Sequence, residues 1–269
     1  MNQRFSLAAA ALILIGAAVA LWWSDRQPGT TPATTPIAVS QAAASETPAA
    51  EPPAPAQSFT LAISWHPAFC EQKPNLSECR GQASSDFEAS NLTLHGLWPE
   101  DEYCGVSDSL VATDSANRWN QLPEPKLSNA TWRELATAMP GVEDNLHRHE
   151  WVFHGTCSGA SAETYFKRSL DLLDAVNASP VRDLLSRNIG KHVSRNQIRA
   201  AFDAAFGDGA GRKVRVDCDQ DGDRTLISEL RINLYGEAMG DATFADLIHS
   251  GRNAGAGCNG GIVDRVGRQ

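Results

Sequence analysis

Six cysteines, Cys70, Cys79, Cys104, Cys157, Cys218 and Cys258, all lie downstream of residue 57 in a chain that opens on an apolar leader. Together these two features decide the compartment and constrain the fold more than any others. The leader has Arg4, an apolar run from Phe5 to Trp23 broken by Ser6, and Ala-Val-Ala at 18–20. A basic start, an apolar core and small residues at the end describe a secretory signal peptide spanning 1–20, cleaved after Ala20. An uncleaved anchor is the second reading, because the run approaches the about 20 residues that cross a bilayer. Either way the rest of the chain is extracytoplasmic, periplasmic or secreted, with a membrane tether through the N-terminal segment left open. In that setting an even cysteine count without a C-x-x-C pair reads as three disulfides, and spacing alone does not choose the pairing.

Residues 21–57 form a linker. From Pro28 onward it is Pro, Ala and Thr with almost no large apolar side chain. Such a stretch cannot bury enough surface to offset its ordering entropy, so a disordered tether is expected. Residues 58–269 remain, enough for one domain with its own core. The chain carries a net charge of −9, and 1–57 hold two bases and three acids, which leaves −8 for the domain. An acidic domain does not hold a polyanion over a broad surface, so contact with any nucleic acid must be local and brief.

Along the domain, helical and strand periodicities alternate without a repeat. FTLAISW (59–65) and NLTLHGLW (91–98) alternate like strands with one buried face. Helices are expected over 131–139, stopped by Pro140 and Gly141, and over 161–176 behind Ser161. A third opens at Ser179-Pro180, and a fourth has Ser194 and Gln197 spaced as a capping box with Gly207 as its stop. RKVRVDC, TLISELRINLY and the short GGIVDRV return to strand character. The expected class is α+β: a single disulfide-stapled domain whose central sheet is mainly antiparallel and flanked by helices.

Chemistry concentrates in HEWVFHGTC, His149 to Cys157. A zincin-type site needs histidines four apart on one helical face, and here they are five apart and diverge by about 140°. No metal and no cofactor are expected. Glu150 and His154 are four apart, so a regular helix stacks the carboxylate on the imidazole, which would raise its pKa and fix its orientation. His149 and Phe153 form a second stack beside them. The bland reading is an exposed helix end with a cation near the last carbonyls. LTLHGLWPE supplies the counterweight. If Leu92, Leu94 and Trp98 share one strand face, His95 and Leu97 point to the other. One histidine from a strand and one from a helix, each followed by glycine, can flank a phosphodiester. One would remove a 2′-OH proton and the other would protonate the departing 5′-oxygen.

LTLHGLWP and HEWVFHGTC resemble the two active-site segments of the ribonuclease T2 family, in order and at a plausible separation. The similarity covers essentially the whole domain, including LAISWHPAFC near its start. It implies a ribonuclease T2-like fold and metal-independent endonucleolytic transesterification of single-stranded RNA through a 2′,3′-cyclic phosphate, with little base preference and no cofactor. It further implies His154 as base, His95 as acid, His149 as phosphate ligand and Glu150 as transition-state support, in a protein expected to be a monomer. Trp98 matches a base-pocket aromatic, with Asp101 and Tyr103 as further members of that pocket. The pairs Cys104–Cys157, Cys218–Cys258 and Cys70–Cys79 are implied in the same way. His66, His147, His192 and His249 have no motif around them and are expected at the surface.

Phe153 departs from the family pattern, which usually carries lysine there to stabilise charge on the phosphate. It lies about 60° around the helix from Glu150 and should face the site. Two readings follow: another cation such as Arg148 substitutes, or the protein is a catalytically weakened RNA-binding protein on the same fold.

Overall fold

A computed structural model describes residues 56–268. The leader and the linker up to residue 55 lie outside the described residues, so the signal, anchor and tether readings are not addressed there. Gln57, assigned to the linker by composition, is the first residue of the first strand, where it pairs with Gly236.

Along the chain the strands are β1 (Gln57–Ser64), β2 (Thr93–Pro99), β3 (His192–Ser194), β4 (Val214–Asp221), β5 (Arg224–Gly236) and β6 (Gly260–Ile262). The helices are α1 (His66–Gln72), α2 (Asp108–Ser115), α3 (Asn129–Ala138), α4 (Leu146–Phe153), α5 (Ala162–Asn177), α6 (Pro180–Ser186), α7 (Arg195–Phe206) and α8 (Phe244–Ser250). The expected caps are present. Ser161 accepts from Thr164 N–H, Ser179 from Val181 N–H, and Ser194 with Gln197 closes a full capping box. α1, α2 and α8 were not legible as helices, although Thr243 and Asp246 form a capping box at α8.

The sheet runs β2-β1-β5, with β4 on the other edge of β5 and the short β6 and β3 continuing beside the start of β5. Between these strands every pairing is antiparallel except the β5–β6 register pair, Leu226 with Ile262; two isolated bridges, Ile189 with Val263 and Val216 with Gly257, are also parallel. The architecture is therefore α+β with a mainly antiparallel sheet, as the periodicities predict.

Pleating sends Leu61 and Ile63 of β1, Leu94 and Leu97 of β2, and Leu230 and Ile232 of β5 into one core, where α5 adds Phe166, Leu170 and Leu173. Burial of that face fixes the strand register, since a one-residue slip would expose the whole set. Three disulfides, Cys70–Cys79, Cys104–Cys157 and Cys218–Cys258, staple the domain in the pairing that the resemblance implies. Among the described residues no cysteine is free, and no helix is long and apolar enough to cross a membrane.

Candidate active site

The opposite face of the sheet carries the site. Across β2-β1-β5, one row is Trp98, Thr60 and Asn233, and the next is Gly96, Ala62 and Arg231. A bulge interrupts β2 opposite Ala62 and Ile63, so that His95 has no partner across the ladder. The extra residue reverses the pleat, as bulges do. Leu94 and Leu97 both reach the core, while His95 and Trp98 emerge on the same side. The strict alternation read from sequence, with Leu97 on the side of His95, is corrected by this bulge.

α4 lies over that face and lowers Glu150 onto it. The Glu150 side chain is 1% exposed; Oε2 accepts from Trp98 Nε1–H at 2.8 Å, and Oε1 lies 3.7 Å from His95 Nε2. Gly96 makes this approach possible. A methyl there would overlap Oε2 and come within 2.7 Å of the Glu150 carboxyl carbon. Trp98 touches two imidazoles, His95 edge-on at 5.1 Å and His154 in a stack at 5.2 Å. His149 is wedged between Trp119, stacked at 4.6 Å, and Phe153 at 5.3 Å, and its Nδ1–H donates to buried Asp114 at 2.8 Å.

The predicted stack of Glu150 on His154 does not form. α4 ends at Phe153, and His154 enters the following 3-10 turn with φ −110°, so its ring swings to Trp98 instead. Its pKa moves opposite to the expectation, down to about 3, because burial and then the charges of His149 and His95 disfavour the imidazolium. Nδ1 of His154 is buried without a hydrogen-bond partner.

His95 behaves in the contrary way. Burial alone would lower it, but the hydrogen bond from Nδ1–H to Glu229 at 2.6 Å and the charges of Glu150 and Glu229 raise its pKa. Glu150 is pushed up by burial, against the pull of His95 and His149. Burial would also push Glu229 up, yet its bond with His95 and its pairing with Arg231 leave it below the usual carboxylate value. The site thus pushes the pKa values of its two imidazoles apart, His154 down and His95 up, the separation that acid–base pairs need.

A cavity of about 530 Å³ opens beside Trp98 and His154, walled by Glu100, Glu102, Asn233 and Arg252. Asp101, expected in this pocket, is exposed and is not part of the wall; its neighbours Glu100 and Glu102 are. Tyr103 turns elsewhere, its hydroxyl donating to Asp114 at 2.7 Å and its ring lying edge-on to Phe153 at 4.5 Å. The Cys104–Cys157 bridge ties this segment to the 3-10 turn after α4, three residues past His154. Closing a loop of 53 residues contributes about 4 kcal/mol on chain-entropy arguments.

Two further expectations are corrected. His66 and His147 are buried, at 5% and 2% exposure, rather than superficial. His147 shares the inward side of α4 with Glu150 and bonds Glu124 at 2.8 Å, while His66 packs along Phe69 and Cys70. Arg148 does not reach the site: it sits two residues from Glu150, on another side of α4, and is bound to Glu124 at 2.5 Å and to the carbonyls of Asn120 and Leu122. A guanidinium that does lie at the site belongs to Arg231, 5.3 Å from the Trp98 ring centroid, and Arg252 walls the cavity beside it. Among the described residues, His66, Cys70 and Cys79 group like metal ligands, but a disulfide removes the two thiolates that a metal would need.

Comparison with known proteins decides the family. The sequence profile of the ribonuclease T2 family matches residues 56–246, most of the chain. The chain belongs to the ribonuclease T2 family. It is 29% identical to Ribonuclease I of Escherichia coli (strain K12) over 210 residues, covering 67% of this chain and 76% of that one. Over 169 residues it is 29% identical to Ribonuclease MC of Momordica charantia, covering 60% and 80%. In fold it is similar to the S3-RNase of Japanese pear, with a TM-score of 0.51 at 16% identity, covering 77% of this chain and 98% of that chain. The protein is a T2-type ribonuclease, with RNA as its substrate.

Proposed function

We propose that this ribonuclease cleaves single-stranded RNA without a metal, by transesterification between His154 and His95. Neutral His154 takes the 2′-OH proton, the 2′-oxygen attacks phosphorus, the bond from phosphorus to the 5′-oxygen breaks, and Nε2–H of His95 protonates that oxygen. The products are a 2′,3′-cyclic phosphate and a 5′-hydroxyl end. The observation that carries this reading is the placement of two imidazoles against one tryptophan, His95 edge-on and His154 stacked, with burial lowering the pKa of His154 and two carboxylates raising that of His95. His149, held by Asp114, serves as phosphate ligand, and Glu150 supports charge in the transition state. The cavity beside Trp98 is large enough to accept a nucleobase. Three disulfides and the apolar leader support an extracytoplasmic location.

One observation favours a second reading, a slow enzyme that mainly binds RNA. Phe153 sits 4.4 Å from His154, ring to ring, where the family usually carries an ammonium, and Arg148 does not replace it. His95→Ala and His154→Ala separate the two. Under the first reading each lowers kcat by about 10²-fold or more with the fold intact. A variant that keeps more than half of the activity removes that histidine from the mechanism, and wild-type protein that binds RNA without cleaving it establishes the second reading.

A further inference from the structure

Behind the proton donor, on β5, lies a chain of charged groups that has no counterpart behind His154 among the described residues. Nδ1–H of His95 donates to Glu229 Oε2 at 2.6 Å. The other oxygen, Oε1, accepts from Arg231 Nε–H at 2.6 Å, and the same nitrogen lies 3.2 Å from Asp217 on β4. Glu229 is 9% exposed, and Ser64 Oγ approaches Oε2 at 3.5 Å.

A carboxylate is costly to bury in the middle of a strand and is tolerated where it is paired. The strand TLISELRINLY alternates here: Leu230, Ile232 and Leu234 enter the core while Glu229, Arg231 and Asn233 line the site face. None of the charged pair belongs to the two histidine segments.

We propose that Glu229 is a positioning residue for the proton donor: it fixes the ring of His95 and balances its charge, while Arg231 clamps the Glu229 carboxylate in place. The inference rests on the reading of His95 as the acid. With Nδ1 committed to Glu229, the proton available for transfer is the one on Nε2, the nitrogen that faces Glu150. Without that commitment the imidazole could rotate or take the other tautomer, and the transferable proton would be misplaced.

The groups around His95 come from several elements. Glu229 and Arg231 face it from β5, Glu150 from α4, His154 from the turn after α4, and Glu78 from the 3-10 turn at Ser77–Cys79. Of these, Glu229 combines a direct hydrogen bond with charge, whereas Glu150 adds charge across 3.7 Å. Arg231 opposes the imidazolium by charge but restrains the carboxylate, so the two β5 residues have separable effects.

Two substitutions test the proposal in the purified protein, with RNA cleavage followed across pH and imidazole titrations followed by NMR. Glu229→Gln keeps an oxygen that can accept from Nδ1–H but removes the charge. It should move the basic limb of the kcat/KM profile, and the His95 titration with it, down by about 1 pH unit, since a neighbouring opposite charge shifts a pKa by about 1–3 units. Glu229→Ala removes orientation as well and should also lower the plateau kcat by about tenfold or more. A merely structural Glu229 would lower the unfolding temperature and leave both the limb and the titration in place, and that result overturns the proposal. Should His95→Ala itself retain activity, the reading beneath the proposal fails instead, and the two failures are told apart by that variant alone.

Discussion

Replacing Gly96 by alanine tests how the helix and the sheet meet at this site. Gly96 does not occupy the left-handed backbone region, so an alanine there is free of backbone strain and the issue is space alone. The added methyl would overlap Glu150 Oε2 and come within 2.5 Å of Trp98 Nε1. Both atoms belong to the 2.8 Å hydrogen bond that joins α4 to β2. Relief requires Glu150 to retreat by about 1 Å, which breaks that bond. A hydrogen bond to a charged group contributes about 1.5–3 kcal/mol, and the retreating carboxylate stays buried without its donor. Misplacement by about 1 Å at an active site costs about 10²-fold in rate. Gly96→Ala should therefore unfold at lower temperature and lose about 10²-fold in kcat. Glu150→Ala introduced into the same chain should restore the unfolding temperature without restoring the rate, because it removes the obstructed group and not the requirement for it. Calorimetry and a continuous RNA cleavage assay on the two variants read both quantities. A Gly96→Ala protein that folds normally and cleaves within about twofold of wild type would refute the reasoning, since Glu150 would then be dispensable or seated elsewhere.

Phe153→Lys should raise kcat by up to about tenfold, because an ammonium beside His154 would meet charge that develops on the phosphate oxygens in the transition state; no gain at any pH between about 4 and 8 would mean that Arg231 already fills the role. Arg148→Ala should lower stability and leave kcat within about twofold, its charge being bound to Glu124; a tenfold loss would return Arg148 to the site. The ion pair of His95 and Glu229 predicts a stability window. The raised pKa of His95 adds stability that is present below its unfolded value near 6.5 and fades as pH rises through the folded value. The lowered pKa of Glu229 adds stability that is present above about 4.5 and is lost as pH falls through its folded value. Glu229→Gln should therefore depress the unfolding temperature most between about pH 4.5 and 6.5, and an equal depression at pH 9 would count against the pair.

The two histidine segments were legible because each is local: a few residues along one strand or one helix carry both the chemistry and the spacing. The same holds for the caps at Ser161, Ser179 and Ser194, which satisfy backbone donors within three residues. What escaped the sequence depends on distant chain or on single-residue irregularities. The bulge at His95 reversed the pleat and changed which side chains accompany it. The turn at His154 broke the alignment with Glu150 and with it the expected sign of the pKa shift. Asp114 and Glu229 reach His149 and His95 across 35 and 134 residues. A signal for Glu229 and Arg231 did exist, since two charged residues on alternate positions of an apolar strand imply a polar face that must be paired. For Asp114, in a weakly patterned helix, no comparable signal is present.

The most direct test of the central claim is the chemistry of the first product. Purified protein incubated with single-stranded RNA in excess EDTA should release fragments ending in a 2′,3′-cyclic phosphate and beginning with a 5′-hydroxyl, as read by mass spectrometry at early times. Cleavage that stops when the chelator is added, or fragments that carry 5′-phosphates from the outset, would contradict proton removal from the 2′-OH by His154 and proton donation to the 5′-oxygen by His95.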